Sequence, residues 1–225
     1  MTTDSETSGR AYRGESAEDR DERRRRQLLD AGLQVFGSVG YRAATVRGLC
    51  REAKVADRHF YQYFDRTEDL LLAVYGECIA HLTESISHAL ADVDSGGDIG
   101  TSDIGAIVGR GLDALFECVE DPHLARVVWI EVLGVSPRVE RTYLSAMKKF
   151  GSLMLDYVRT FDRDLAPGRD VDLDLLAAAA VGGISHTAMT WFASGYAAER
   201  HIVVATTAAF LSSIVVPLTG NAQRG

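Results

Sequence analysis

The sequence has few cysteines, and their placement excludes a disulfide framework. Only three occur in 225 residues, Cys50, Cys78 and Cys118, and no two of them stand close together. An odd number of scattered cysteines is typical of reduced, buried thiols in a cytoplasm rather than of disulfide or metal sites. We therefore expect a cytoplasmic protein without a structural metal.

Signals for membrane insertion and export are also missing. No run of about twenty apolar residues stands out. The first ten residues, MTTDSETSGR, have neither a basic start nor an apolar core. We expect no transmembrane helix, no secretory signal and no membrane partner.

Motifs of common catalytic classes are absent as well. The chain has no glycine-rich phosphate loop after a strand, no HExxH motif and no nucleophile elbow. Its six histidines are scattered, without a carboxylate at convincing metal-ligand spacing. These absences argue against an enzyme and against a cofactor.

Charge is distributed unevenly along a chain of ordinary composition. Apolar residues make up 46% of the sequence, as in soluble globular proteins, and the formal net charge is −8. Residues 20–64 nevertheless hold ten basic and five acidic residues, whereas residues 65–225 hold twelve basic and twenty-two acidic ones. A basic region joined to an acidic one is the pattern of a DNA-binding domain on a body that stays off the DNA.

Residues 45–64 have the spacing of a helix-turn-helix. Apolar residues recur every three or four positions over 46–53, and Thr45 stands where an N-cap belongs. After a break at Lys54, aromatic residues crowd a second short helix whose outer side keeps Arg58, His59 and Gln62. Such a helix suits the edges and phosphates of a DNA major groove.

A wider set of positions in residues 24–72 goes beyond helical periodicity. Its members are Leu28, Ala31, Phe36, Gly40, Tyr41, Thr45, Val46, Leu49, Val55, Phe60, Tyr61, Tyr63, Phe64, Glu68, Leu70 and Leu71. This set resembles the N-terminal domain of TetR-family transcriptional regulators. Beyond it, the chain is similar to that family in length and helical layout only.

The patterns along the whole chain predict an all-α protein of about nine helices. No alternation typical of strands is visible. Residues 1–15 are polar and predict a disordered arm. The resemblance implies a three-helix helix-turn-helix domain over residues 16–66 and a helical ligand-binding and dimerisation domain over residues 67–220. Ser16 is the expected start of the first helix, and Asp65 with Glu68 the expected capping box of the fourth.

Three positions depart from the family pattern. Lys54 stands where the family has a glycine at a turn that favours positive φ. Ala56 replaces a capping serine, so we expect Asp57 to cap the second reading helix one residue late. Thr67 replaces a lysine aimed at a phosphate.

The resemblance assigns the DNA contacts. It implies that Arg58 and His59 face base edges and that Arg47 touches a base. The other residues expected at the DNA, mostly at phosphates, are Arg24, Arg25, Arg26, Thr45, Tyr61, Gln62 and Tyr63. For the arginine run 23–26 the alternative is a solvated helix face.

The body of TetR-family proteins encloses a mostly apolar cavity, which the resemblance implies here as well. Apolar side chains that are either plain core or its wall are Tyr75, Trp129, Tyr143, Met147, Phe150 and Met189. Arg110 and Glu131 are interpreted as one buried ion pair or as anchors for a polar ligand group. His186 is interpreted as a core histidine or as a ligand or interface residue.

Small residues in the last two helices predict a dimer interface. Two helix-interior glycines cost about 1 kcal/mol each relative to alanine, which close approach of another helix would offset. An isologous four-helix interface would use Ala179, Gly182, Gly183, Ala205, Ala208, Ala209 and Ser212.

Together these features predict a homodimeric repressor that a small apolar or amphiphilic ligand releases from a palindromic DNA operator. Ligand binding would shift the helix that starts near Glu68 and change the separation of the two DNA-binding domains. Two alternatives stay open. One is an activator or DNA-binding protein without a ligand switch, and the other is a helical enzyme or small-molecule-binding protein.

Overall fold

The computed structural model describes residues 16–91, 101–161 and 171–219, and all their regular structure is helical. The helices are α1 (Ala17–Ser38), α2 (Val46–Ala53), α3 (Asp57–Tyr63), α4 (Thr67–Ala91), α5 (Thr101–Val119), α6 (Pro122–Arg126), α7 (Pro137–Phe161), α8 (Leu173–Ala193) and α9 (Arg200–Thr219). A 3₁₀ turn, Tyr41–Ala43, precedes α2, and a π-helical turn, Val127–Glu131, continues α6. The all-α prediction with about nine helices is confirmed over these ranges. The predicted arm, residues 1–15, lies outside them.

We call residues 16–66 the head and residues 67–219 the body. The head begins with the expected cap: Ser16 Oγ accepts from Asp19 N at 3.0 Å, and Asp19 Oδ2 accepts from Ser16 N at 3.1 Å. This reciprocal pair fixes the first turn of α1. The other end of α1 touches the body, because a Cβ on Gly37 would lie 2.5 Å from His123 Cα in α6.

The two reading helices, α2 and α3, are held by local contacts. Thr45 Oγ1 caps α2 by accepting from Gly48 N at 3.1 Å, and Lys54 ends it in the left-handed region at φ 56°. Ala56 precedes α3 without a side-chain cap. The expectation that Asp57 caps α3 is wrong, since Asp57 is already its first residue.

Helix α4 is the first helix of the body, is 25 residues long and packs against α1 of the head. Its expected capping box between Asp65 and Glu68 does not form, since α4 begins at Thr67 and Arg66 N donates instead to Asp69 Oδ2 at 3.1 Å. One face of α4 is apolar and packs in the core, with Leu71, Tyr75, Cys78 and Leu82 all buried.

One hydrophobic core runs through both regions. It includes Phe36 and Phe60 of the head, Leu71 of α4 and Phe116 of the body, each with 0% exposure. Contact between α1 and α4 is close, because a Cβ on Gly32 would lie 2.8 Å from Val74 Cγ2. Since packed cores transmit strain, a displacement in the body has a direct route to the head.

Three helix pairs organise the body. Helix α4 packs against α5, α5 against α9, and α7 against α8. The space between these pairs is not filled completely, and a cavity remains there.

Candidate DNA-binding surface and ligand cavity

Helix α3 has one polar face that is exposed and one apolar face that is buried in the core. Phe60 is completely buried, with its ring 5.8 Å from that of Phe64. Arg58 and Gln62 are exposed, and Tyr61 keeps 60% of its surface exposed. A helix this short is stabilised by its apolar face, so burial of Phe60 leaves the polar side chains free to meet a DNA groove.

His59 is oriented by its neighbour one turn later. Its Nδ1 lies 2.8 Å from Gln62 Oε1. Because an amide oxygen only accepts, Nδ1 carries the proton in this arrangement, and Nε2 of the neutral ring is an acceptor. An imidazole held in this way is suited to a donor on a base edge.

Helix α2 adds two exposed residues to the same surface. Arg47 is exposed on its outer side, and Thr45 is exposed at its N-terminus. The Thr45 oxygen accepts the capping bond, so the hydroxyl proton is not used in that bond. Both side chains therefore have polar groups to offer a phosphate or a base.

The arginine run at the start of α1 is split between two environments. Arg26 donates to Asp30 at 2.9 Å and to Glu77 of α4 at 2.6 Å, so its guanidinium ties α1 to the body. The phosphate contact predicted for Arg26 would require these bonds to be exchanged. Arg24 lies 3.3 Å from Asp21, and Arg25 is half-buried.

Tyr63 also has a partner inside the head. Its hydroxyl donates to Asp21 Oδ1 at 2.9 Å, which joins α3 to α1. Burial and the Asp21 carboxylate raise the pKa of this phenol. The phosphate contact predicted for Tyr63 would require this bond to be exchanged.

Three of the predicted cavity residues meet around an apolar space of about 270 Å³ in the body. Trp129, Met147 and Phe150 line it, together with aliphatic side chains of α4, α5, α7 and α8 such as Leu82, Ile86, Leu112 and Ile184. No charged side chain of the described residues lines this inner cavity. Its size is near the lower end of the range for small-molecule sites, about 300–1,000 Å³.

Three other predicted residues, Tyr143, His186 and Met189, line an outer groove of about 620 Å³ between α7 and α8. Trp129 and Met147 line both spaces, so they form part of the wall between the inner cavity and this outer groove. His186 is exposed, and its interpretation as a core histidine is wrong. Tyr75 lines neither space; it is 1% exposed within the core, and burial raises its pKa.

The two charged residues predicted at the ligand lie elsewhere. Arg110 is exposed on α5 and lines neither the inner cavity nor the outer groove. Glu131 pairs with Arg126, not with Arg110, through a bond of 2.7 Å. Periodicity placed Arg110 on the correct helix, but it did not show which side of the helix faces the core.

Glu131 and Arg126 form a clamp between body and head that the sequence patterns did not indicate. Glu131 Oε2 accepts from Tyr41 N at 2.6 Å, and Arg126 Nη1 donates to Ser38 O at 2.6 Å. Gly40 fits between them at φ 91°, where a Cβ would lie 3.0 Å from both side chains. We call these contacts the junction clamp. Its partners are 88 and 90 residues apart, a separation that no local pattern reports.

A second connection links α7 to the start of α4. Arg138 donates to Asp69 and lies 3.7 Å from Glu68. The hydrogen bond from Arg138 lowers the pKa of the Asp69 carboxyl. This contact fixes the first turn of α4, which directly follows the head, whereas the junction clamp joins body and head themselves.

The predicted dimer residues divide into an outer and an inner set. Ala179, Gly182, Ala205 and Ala209 are exposed, and a Cβ on Gly182 would meet nothing within 4 Å. Gly183 is different: a Cβ there would lie 2.7 Å from Phe210 of α9. Gly183 therefore serves packing within one chain, which corrects its assignment. Ala208 likewise packs against the core, and Ser212 is half-buried.

Helix α8 is more apolar than its burial explains. Only 33% of its most apolar stretch is buried, although Ala188 and Trp191 pack firmly inside. By length and composition alone α8 passes as a membrane-spanning helix, which the sequence patterns had not indicated; core helices of soluble proteins pass the same test. An exposed apolar face of this kind commonly marks an interaction surface.

The thiols also differ from the expectation of three buried groups. Cys50 and Cys78 are buried, and burial raises their pKa to about 11 and about 12 respectively. Asp57 adds to the shift at Cys50. Cys118 is half-buried, with Sγ 3.7 Å from His81 Nε2.

Comparison with known proteins agrees with this geometry. Residues 28–74 match the model of the family described as "Bacterial regulatory proteins, tetR family". The "Fatty acid metabolism regulator protein" of Bacillus subtilis is 22% identical over 172 residues, covering 73% of this chain and 81% of that protein. The "HTH-type transcriptional regulator HbdR" of Aromatoleum sp. is 34% identical over 74 residues, which cover 30% of this chain and 32% of that protein.

Similar solved structures share the whole fold. The transcriptional regulator FadR from Bacillus subtilis, in complex with stearoyl-CoA, superimposes with a TM-score of 0.68 at 18% identity and covers 83% of this chain and 96% of that one. The fatty acid degradation regulator FadR from Bacillus halodurans gives 0.66 at 18% identity, with coverage of 84% and 94%. These proteins are regulators rather than enzymes. The matched head, the all-helical fold and the named relatives together identify this chain as a transcriptional regulator with a TetR-type DNA-binding domain.

Proposed function

We propose that this protein is a cytoplasmic, homodimeric repressor whose hold on a palindromic operator is broken by a ligand in the inner cavity. The observation that carries the proposal is the junction clamp. Trp129, in the cavity wall, and Glu131, in the clamp, belong to one π-helical turn of five residues. A ligand that displaces Trp129 would therefore displace Glu131, the backbone of Tyr41 and the head.

In the DNA complex, Arg58 and His59 of each protomer contact base edges, while Tyr61, Gln62 and Thr45 contact phosphates. The exposed polar side of α3 above the buried Phe60 supports this assignment. Arg47, Arg24 and Arg25 lie on the same basic head. The functional division falls near residue 66, between α3 and α4.

DNA reading is tested by fluorescence anisotropy with DNA upstream of the protein's own gene. Arg58→Ala and His59→Ala should each cost about 1–3 kcal/mol per half-site and relax sequence preference. Arg141→Ala is the matched control, because this arginine is exposed on α7 of the body. Equal losses for Arg58→Ala and Arg141→Ala would refute the assignment of α3 as the base-reading helix.

The dimer is proposed to form through the exposed faces of α8 and α9. Two such faces from two protomers make a four-helix interface that buries the apolar surface of α8. Gly182→Leu should weaken the dimer in light scattering at micromolar concentration. Gly76→Leu is the control, since this helical glycine is also exposed and open but lies on α4. A monomeric wild-type protein would contradict the proposal.

The ligand is proposed to be largely apolar, of lipid or drug size. The inner cavity supports this, and the relative from Bacillus subtilis that carries stearoyl-CoA makes a long acyl chain the first candidate. At one hundred times its dissociation constant, such a ligand should raise the free energy of unfolding by about 2.7 kcal/mol and release the DNA. Stabilisation without DNA release would leave a DNA-binding protein without a switch.

A further inference from the structure

The two ring nitrogens of His59 stand in different surroundings. Nδ1 lies 2.8 Å from Gln62 Oε1, and Gln62 is the hydrogen-bond partner of His59 among the described residues. Nε2 has no partner there, yet it does not count among the buried unpaired side-chain atoms of the described ranges, which are Tyr75 Oη and Trp129 Nε1. His59 Nε2 is therefore accessible from outside the protein, on the helix that carries the exposed Arg58 and Gln62.

A histidine ring that is free to choose its tautomer discriminates poorly between base edges. The neutral ring has one donor and one acceptor nitrogen, and the proton can occupy either of them. In the major groove, adenine N6 and cytosine N4 are donors, whereas guanine N7 and O6, adenine N7 and thymine O4 are acceptors. An unconstrained imidazole can satisfy both kinds of group. Selective reading by His59 therefore requires a neighbour that fixes the position of the proton.

Gln62 is placed to fix that proton, and a DNA phosphate would hold Gln62 in the required orientation. The amide oxygen of glutamine only accepts and its NH₂ only donates. A phosphate oxygen accepts, so a phosphate contact from Gln62 uses the NH₂ and leaves Oε1 for the neighbour one turn earlier. That is the arrangement in the structure, where Oε1 faces His59 Nδ1 and the residue is exposed. On DNA, the phosphate contact therefore favours a proton on Nδ1.

We propose that Gln62 is a positioning residue that keeps His59 Nε2 a hydrogen-bond acceptor, so that His59 reads an amino group, adenine N6 or cytosine N4, in the major groove. This rests on the DNA reading by α3 proposed above and names the chemical group that one of its side chains selects. A single hydrogen bond of this kind is expected to change affinity about three- to tenfold per half-site. The alternative, an Nε2–H that donates to a purine N7 or to a carbonyl oxygen of a base, would select the opposite groups.

The inference is tested with operator DNA, taken from upstream of the protein's own gene, in which single functional groups are deleted. Adenine is replaced by purine, which lacks the N6 amino group, and cytosine by 2-pyrimidinone, which lacks the N4 amino group, at one position at a time in both half-sites. A second series replaces purines by 7-deazapurines, which lack the N7 acceptor. Fluorescence anisotropy with the full-length protein is measured at about pH 8, where imidazole rings are neutral.

One amino deletion should weaken binding of the wild-type protein about three- to tenfold per half-site and leave binding of His59→Ala unchanged. The comparison with His59→Ala also cancels any effect of the altered base on the duplex itself. A 7-deaza substitution whose effect disappears in His59→Ala would overturn the inference, because His59 would then be a donor. The inference also fails if no amino deletion depends on His59.

The role of Gln62 is tested by removing it and then replacing its effect chemically. Gln62→Ala should weaken binding to all sequences, because a phosphate contact is lost, and should also abolish the discrimination against the amino-deleted DNA. Gln34→Ala, at an exposed position of α1, is the control and should change neither. If Gln62→Ala weakens binding but keeps the discrimination, Gln62 does not position His59.

Nδ1-methylhistidine in place of His59 should restore the discrimination in the Gln62→Ala protein. The methyl group occupies Nδ1, so Nε2 of the neutral ring remains an acceptor without help from residue 62. Because the rescued protein still lacks Gln62, its recovery also excludes a folding defect as the cause of the loss. Continued lack of discrimination would contradict an acceptor role for Nε2.

The outcomes also separate this inference from the function on which it rests. If Arg58→Ala relaxes sequence preference but no amino deletion depends on His59, DNA reading by α3 stands and the inference about His59 fails. If the wild-type protein binds operator and unrelated DNA equally, both fail.

Discussion

Amphipathic helices form both the head and the body of this protein, but the two regions differ in how much apolar surface they bury. In the head, the apolar side of each reading helix is buried in the core, and the outer side of α3 is polar. In the body, α8 leaves much of its apolar surface uncovered, and an apolar cavity remains between the helices. The apolar side of each reading helix in the head is thus buried within one chain. The body leaves an apolar face and a cavity open, and these are the two features that the proposed dimer and the proposed ligand would fill.

The largest expected difference between head and body is in the free energy of unfolding lost when one phenylalanine in each region is replaced by alanine. Phe60→Ala should lower the free energy of unfolding by about 3–5 kcal/mol, because a fully buried ring is replaced by a cavity. Phe150→Ala should cost clearly less, since this half-buried ring already borders the inner cavity. Urea unfolding followed by circular dichroism measures both. Equal losses would mean that the cavity is as tightly packed as the head.

The junction clamp is the place where the two regions are joined, and breaking it should uncouple them. Glu131→Gln removes the charge that pairs with Arg126 and weakens two hydrogen bonds, at a cost of about 1–3 kcal/mol in unfolding free energy. DNA binding without ligand should survive, whereas DNA release by ligand should be blunted.

Glu140→Gln on the exposed side of α7 is the control for this change. Anisotropy titrations of operator DNA, with and without ligand, measure the response of both variants. A Glu131→Gln protein that releases DNA like the wild type would show that the signal travels by another route, such as the contact of Arg138 with Asp69.

A smaller effect concerns the missing N-terminal cap of α3 in the head. Helix α3 lacks a side-chain cap at Ala56, whereas α8 in the body has one at Asp172, whose Oδ1 accepts from Asp174 N and Leu175 N. Ala56→Ser should therefore stabilise the protein by about 0.5–2 kcal/mol. Ala80→Ser, at an exposed helix-interior site of α4, should instead be slightly destabilising. Thermal unfolding compares the two, and a loss at Ala56→Ser would show that a cap cannot form there.

The smallest effect is a difference in thiol reactivity. Cys50 of the head and Cys78 of the body have pKa values raised by burial to about 11 and about 12, so both remain protonated at pH 8. Because the thiolate is the reactive form, the native protein should be alkylated by iodoacetamide first at the half-buried Cys118. Mass spectrometry of timed samples identifies the order. Early modification of Cys50 would indicate that the head opens readily.

Much of the head was predictable because its information is local. The spacing from Thr45 to Phe60 places the capping residue, the buried faces and the outward Arg58 within twenty residues of one another. Capping by Ser16 was predictable for the same reason. The predictions that failed here, Asp57 as a cap and the capping box of Asp65 with Glu68, concern side chains with a choice of partners, and the backbone pattern does not express that choice.

For the body, the sequence predicted the helices, but it did not predict which side chains of different helices contact one another. Periodicity showed that Trp129, Met147 and Phe150 are apolar and helical, yet only their packing shows that they surround one cavity. An ion pair of Arg110 with Glu131 was one of two interpretations for these charges, whereas the fold turns Arg110 to solvent and brings Arg126 to Glu131. Gly182 and Gly183 are identical neighbours in the sequence, and only the position of Phe210 distinguishes an open face from a filled one.

The sequence by itself determined the helices, the caps at Ser16 and Thr45, the basic head and the resemblance to TetR-family regulators, because each depends on residues within a few turns of one another. Tertiary structure alone decided the cavity and the junction clamp. These depend on contacts between residues far apart in the chain, as between Glu131 and Tyr41. Burial and pairing are properties of the assembled core, so a helix reveals them only after its neighbours are in place.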